Sequence, residues 1–173
     1  MAQTEIGKYS AAEKLNLRDL DVITVTATTD AETIGQYKVV AQSIEIPFAV
    51  SEPGGSAIIK SLTLLDEANT SKVCDVIFSS VSTAISDDEG KAVGEDVSSL
   101  DSALRSVQGH VNIVAGDYID LIDARVATKS NIQLAVQAAS GSTSLYLHIV
   151  NQGSAVTFGA TTDVKVKIGL LKD

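Results

Sequence analysis

A period of two is the clearest regularity along the chain. Asn131-Ile132-Gln133-Leu134-Ala135-Val136-Gln137, Ser144-Leu145-Tyr146-Leu147-His148-Ile149-Val150 and Asp163-Val164-Lys165-Val166-Lys167-Ile168 alternate apolar with polar or small positions. Such alternation buries one face of a strand and wets the other, the mark of a sandwich or barrel. Upstream, Val22-Ile23-Thr24-Val25-Thr26-Ala27-Thr28-Thr29 is rich in β-branched residues that fit a pleated surface, and it predicts the first strand. Ile44, Ile46, Phe48 and Val50 share one face of the stretch 36–50, with Ser43, Glu45 and Ala49 on the other. Pro47 removes a ladder donor in its middle, which predicts an edge strand or a bulge.

Turn residues divide the remaining strands. Ser51-Glu52-Pro53-Gly54-Gly55-Ser56 is a turn cluster leading into a strand over 57–65. Asp66-Glu67-Ala68-Asn69-Thr70-Ser71 reads as a hairpin loop, after which Cys74, Val76 and Phe78 take the core face of a returning strand. His110-Val111-Asn112-Ile113-Val114 resumes the β pattern, and Ala115-Gly116-Asp117 turns into Tyr118-Ile119-Asp120-Leu121. Ala138-Ala139-Ser140-Gly141-Ser142-Thr143 predicts a tight hairpin between two late strands.

One segment follows a different rhythm. Val97, Leu100, Leu104 and Val107 recur every three or four residues, which predicts a short helix across an open end of the sandwich, capped by Asp96 or Ser98. The expected fold is all-β, an antiparallel sandwich of eight to ten strands with one short helix, and no internal repeat is evident. Residues 1–20 are polar with apolar anchors at Ile6, Tyr9, Leu15, Leu17 and Leu20, compatible with a frayed terminus or with an arm docked on a neighbour. The division expected is an N-terminal arm over 1–20 and a single sandwich domain over 21–173.

Composition narrows the partners. A chain of 173 residues with 45% hydrophobic content can bury a full core as one domain. The formal charge of −9 works against nucleic acid and acidic membrane surfaces, because both are bound mainly through clustered Lys and Arg. The lone Cys74 sits in an apolar strand, excludes an intramolecular disulfide and reads as a buried thiol. The first residues lack the apolar core of a signal peptide, and no apolar run approaches the roughly 18 residues of a membrane span. Synthesis and assembly in a cytoplasm are expected.

Candidate chemistry is sparse. His110 and His148 fall on separate strands among apolar neighbours and read as half-exposed strand histidines. Aligning Asp87-Asp88-Glu89-Gly90 to the helix–loop–helix calcium pattern puts Ile85 at the first ligand position and Asp96 where a bidentate glutamate belongs, so the run reads as a solvated loop. Asp117, Asp120 and Asp123 recur every third residue, which an alternating strand cannot bring to one side. Neither a Gly-x-Ser-x-Gly elbow nor a phosphate-cradling loop is present. With no Trp, four Tyr and three Phe, mostly in strand patterns, aromatic platforms for sugars are few. We therefore expect no enzyme activity and no catalytic, cofactor or metal-binding residues.

Several segments together carry a resemblance. Ser56-Ala57-Ile58-Ile59-Lys60-Ser61-Leu62-Thr63-Leu64-Leu65-Asp66 with Asp75-Val76-Ile77-Phe78, then Gly116-Asp117-Tyr118-Ile119-Asp120-Leu121, Ala127-Thr128-Lys129 and Gly141-Ser142-Thr143-Ser144-Leu145-Tyr146-Leu147, resemble the small capsid decoration, or cement, proteins of tailed bacteriophages. The likeness runs from about Gly54 to Leu171 and rests on β patterning and turn placement. It implies a jelly-roll-like sandwich that forms homotrimers on the outside of an icosahedral head and stabilises the major capsid protein shell. Such a clamp needs a rigid, non-catalytic body and contact surfaces. On this reading Ile6, Tyr9, Leu15 and Leu17 contact the shell or a sister subunit. Two alternatives share the pattern: a tail-fibre or baseplate module binding carbohydrate or protein, which would use Tyr118 or Tyr146, and a hydrolase, which would need His110 or His148 beside a serine or carboxylate.

Overall fold

Sheet membership follows from backbone pairing. The computed structural model describes residues 20–29, 32–86, 89–94 and 100–172. Its strands are β1 (Leu20–Ala27), β2 (Thr33–Ile34), β3 (Val39–Ile46), β4 (Ser56–Asp66), β5 (Cys74–Ser79), β6 (Val107–Ile113), β7 (Tyr118–Asp120), β8 (Arg125–Gln137), β9 (Leu145–Asn151), β10 (Val156–Thr157) and β11 (Val164–Lys172). A helix, α1 (Leu100–Ser106), precedes β6, and a 3₁₀ turn over Ala115–Asp117 precedes β7.

The larger sheet has the order β1-β11-β4-β8-β7, the smaller β3-β9-β5-β6, and β2 pairs with β10 as a separate ribbon. Every named pairing is antiparallel. With β7 and the ribbon set aside, the remaining eight strands, β1-β11-β4-β8 facing β3-β9-β5-β6, have the order of a jelly roll, crossing between sheets at every step except the β5–β6 hairpin. Inward residues of both sheets meet in one core that includes Leu62, Leu64, Val76, Phe78, Leu147 and Ile168. Removing each such side chain from water stabilises the fold by roughly 1.5–3 kcal/mol.

The sandwich narrows along one side. A Cβ on Gly109 of β6 would come within 2.7 Å of Leu134 Cδ1 of β8, so the absent side chain lets the two sheets approach there. Gln108 Oε1 accepts the Gln137 N–H across the same seam at 3.3 Å.

Several expectations need correction. Asp66–Ser71 and Ala138–Thr143 are crossings between sheets, not hairpins, since β4 and β8 lie in one sheet and β5 and β9 in the other. In the first, the buried Asp66 carboxylate accepts the Ala68 N–H (3.1 Å), the Thr70 N–H (2.9 Å) and the Thr70 hydroxyl (2.6 Å), and so turns the chain out of its sheet. The second pairs with the 50–55 turn, Val50 N–H to Thr143 O at 3.2 Å and Gly54 N–H to Ser142 O at 2.9 Å. β3 ends at Ile46, and Phe48, expected in the core, is 72% exposed on the following turn with φ 53°. β3 is an edge strand, as Pro47 suggested, although the proline lies beyond its end.

The helix differs as well. α1 buries Ala103 and Ser106, leaves Leu104 exposed, and gives way to β6 at Val107. Instead of lying across an open end, it packs Ala103 with Ile85 against Val39, Val150 and Ile77, covering the outer face of the smaller sheet. Val97, Asp96, Ser98, Asp87 and Asp88 lie outside the described residues, as do Ile6, Tyr9, Leu15 and Leu17.

Candidate interaction site at one end of the sandwich

The connection between β6 and β8 is held by hydrogen bonds and ion pairs along its whole length. Asp117 closes its first turn, its carboxylate accepting the Val114 N–H at 2.8 Å and pairing with Lys129 Nζ at 2.6 Å. The Lys129 ammonium, with help from the Val114 N–H, holds the Asp117 carboxyl below its usual range. Tyr118 then donates its hydroxyl to Lys72 O at 2.7 Å, fastening β7 to the β4–β5 crossing. Burial pushes the Tyr118 hydroxyl pKa up.

Beyond β7 the backbone folds tightly. Leu121 N–H reaches Ala124 O at 2.8 Å, and Asp123 N–H reaches Leu121 O at 3.0 Å. The second bond spans two residues with Ile122 at φ 75° between them, the rare and strained form of γ-turn. A β-branched residue in that region is a conformational outlier. It is held from three sides: Ile122 N–H donates to Asp120 Oδ1 at 3.0 Å, Asn69 Nδ2 donates to Ile122 O at 3.1 Å, and Arg125 clamps the surroundings. Arg125 Nε donates to Asn69 Oδ1 at 2.6 Å, its guanidinium also bonds Ser71 Oγ, and it pairs with Asp120 at 3.5 Å.

This framework presents apolar side chains to water. Ile122 is 85% exposed, Ile119 67% and Leu121 55%. Leu65, Val126 and Ile119 are aligned across β4, β8 and β7 on the outward face, so the exposed tip continues a half-buried apolar row. β7 forms one edge of the larger sheet. Strain kept at an exposed hydrophobic residue and opposed by a dedicated network is the pattern of a contact surface. Sequence reasoning missed it, though Ile119, Leu121 and Ile122 crowded among Asp117, Asp120 and Asp123 broke the alternation.

The three aspartates do not converge. Asp117 faces Lys129 and Asp120 faces Arg125, and among the described residues no three His, Cys, Asp or Glu side chains assemble as a metal-holding group.

The histidines separate in role. His110 is exposed on β6, whereas His148, expected half-exposed, is fully buried beneath the segment that covers β9. Its Nε2 lies 3.0 Å from Ser79 Oγ, the serine–histidine proximity a hydrolase would need. The proton inventory runs the other way. Nδ1 accepts the Ser43 N–H at 3.2 Å, which assigns the ring proton to Nε2, facing Ser79, and the serine hydroxyl donates to Val81 O at 2.8 Å. A nitrogen already bearing its proton cannot take one from Ser79. Burial lowers the His148 pKa to about 4, so the ring stays neutral, and it pins the left-handed Ser43 (φ 54°) in β3.

Lys72 is the other unusual interior group. It is 6% exposed, with its ammonium 4.3 Å above the Phe158 ring centre and without a hydrogen-bond partner among the described residues. Burial lowers its pKa to about 8, opposed by the Asp66 carboxylate. A groove of about 410 Å³ runs nearby between Thr70–Val73 and Gly153–Thr157, but the buried ammonium does not open into it. Cys74 is also fully buried, its thiol pushed up to about 12 by desolvation.

No family model matches the chain, and no curated protein sequence matches it. Solved structures with a partial likeness include the capsid of Ralstonia phage GP4, at 13% identity and TM-score 0.41 over 90% of this chain and 85% of that one. Others are Mud Crab Dicistrovirus, at 14% identity and TM-score 0.29 over 98% and 75%, and an Israeli acute paralysis virus particle, at 11% and 0.27 over 98% and 80%. The jelly-roll assignment rests on strand order and register, independent of these likenesses.

Proposed function

We propose that the protein is a non-enzymatic structural component of a virion, a capsid decoration protein that binds the outer surface of a phage head. It clamps major capsid subunits at junctions between capsomers, as a homotrimer assembled in the host cytoplasm. The observation that carries this reading is the strained, 85% exposed Ile122, presented with Ile119 and Leu121 by a rigid jelly roll. Such a tip serves contact with another protein surface. The resemblance to tailed-phage decoration proteins supplies the partner. Residues 1–20 act as the arm, with Ile6, Tyr9, Leu15 and Leu17 as its contacts, and 21–173 as the body.

The carbohydrate reading finds less support. Tyr118 spends its hydroxyl on Lys72 O, and among the described residues the well-exposed aromatics, Tyr37 and Phe48, sit beyond opposite ends of β3. They cannot form one platform for a sugar ring.

Adding the purified chain to heads that lack it, and counting bound copies by electron microscopy, tests the proposal. The full chain should decorate the heads, and deleting residues 2–19 should cut occupancy at least tenfold while circular dichroism of the body is unchanged. Heads left bare by the full chain would overturn the decoration reading. Undiminished occupancy by the deleted chain would overturn the role of the arm.

A further inference from the structure

We infer that the β7 edge and the Ile119–Ile122 tip of one copy receive the segment around Leu15 and Leu17 of a second copy. The receiving surface is apolar, continuous with the outward row of Leu65 and Val126, and bordered by the free side of edge strand β7. An unpaired edge takes an extended peptide through backbone hydrogen bonds, with alternate side chains entering the surface. Leu15-Asn16-Leu17-Arg18 has the alternation such a peptide needs.

Reach decides between the chain's own tip and that of a neighbour. Ile119 shares its row with Val126, Leu65, Lys165 and Thr26, so it stands four strands across from β1 and level with Thr26. Four strand spacings are about 19 Å, and the six residues from Leu20 to Thr26 add about 20 Å along the strand, giving about 28 Å in a straight line. Leu17 precedes Leu20 by three residues and Leu15 by five, a span of at most about 18 Å even fully extended. Neither leucine reaches its own tip, which leaves the tip of an adjoining copy as the one it could fill.

Donor and acceptor are different surfaces, so the contact closes either as a reciprocal two-fold exchange or head-to-tail in a ring. A trimer is the ring that the proposed function calls for. The inference rests on that reading for ring size alone, and its test uses free protein without heads, so failure here leaves the head-binding experiment to stand or fall separately.

Two full-length variants, Leu17→Cys and Ile122→Cys, are reduced, mixed and oxidised, with the buried Cys74 retained in both. A disulfide-linked pair should form in the mixture well above the level in either variant alone. Sedimentation should show a closed oligomer for the unmodified chain and at least tenfold weaker association for Leu15→Asp/Leu17→Asp and for Ile119→Asp. Sedimentation of the unmodified chain as a monomer at about 100 µM would overturn the inference, since such a contact needs at least micromolar affinity. So would assembly without the mixed cross-link, or a Leu17→Cys/Ile122→Cys chain that cross-links only within itself. Should Ile119→Asp fail to fold, the cross-link still decides.

Discussion

The Lys72 ammonium sits 4.3 Å over the Phe158 ring and makes no hydrogen bond to any described residue, so the ring face and the charge of the Asp66 carboxylate are its compensation for lost water. A cation–π contact returns about 0.5–2 kcal/mol, less than a buried charge forfeits. Lys72→Met keeps the stem and removes the charge. We expect it to stabilise the fold by about 1–2 kcal/mol at pH 7, read as a higher urea midpoint. The folded pKa of about 8 lies below the ordinary 10.5 of a lysine in water, so between those pH values the unfolded chain holds a proton that the folded one has released. Stability from this group therefore rises with pH across that window, and the advantage of Lys72→Met should shrink there. A variant less stable than the parent at pH 7 would show that the ring and Asp66 compensate the charge fully.

His148 gives a dependence at the acid side. Its folded pKa of about 4 lies below the ordinary 6.5, so the unfolded chain takes up a proton first as pH falls. The contribution is complete above pH 6.5 and is lost towards pH 4, by up to about 3 kcal/mol. His148→Gln should cost about 2 kcal/mol at pH 7, and its stability should fall less between pH 6.5 and 4 than that of the parent. Urea unfolding at a series of pH values checks both statements, and parallel curves for the two proteins would refute the assignment.

Ile122 sets stability against contact. Ile122→Asn places a residue that tolerates φ 75° on the same turn, and it should raise stability by about 0.5–1 kcal/mol. The same change removes an exposed apolar side chain from the tip, so association between copies should weaken even as the urea midpoint rises. A fall in both would mean that Ile122 packs within its own fold.

The faces of β11 were legible because alternation reports burial directly, as Val164, Val166 and Ile168 show. Which sheet a strand joins leaves no such trace. A crossing of the sandwich and a hairpin both need a short polar loop, so Asp66–Ser71 and Ala138–Thr143 misled for one reason. His148 was misread because the groups that enclose its ring nitrogens, Ser43 of β3 and Ser79 of β5, are far away in sequence. Phe48 looked like core because alternation was carried past Ile46, where the strand stops. The tip escaped notice because its defining feature, φ 75° at Ile122, is a backbone property that no side-chain pattern encodes.

β11 follows every other described strand in sequence yet lies between β1 and β4 in space, with Leu20 beside Leu171 and Leu171 beside Ile58. While the chain is being made, β1 emerges early and has no neighbour in the larger sheet until Val164–Lys172 leaves the ribosome. The sheet therefore cannot close progressively from its first strand, and pairings of this sequence separation form slowly. Until Val164–Lys172 is made, a nascent chain holds an open slot in the larger sheet, and unpaired strand edges of that kind are open to contact with other copies.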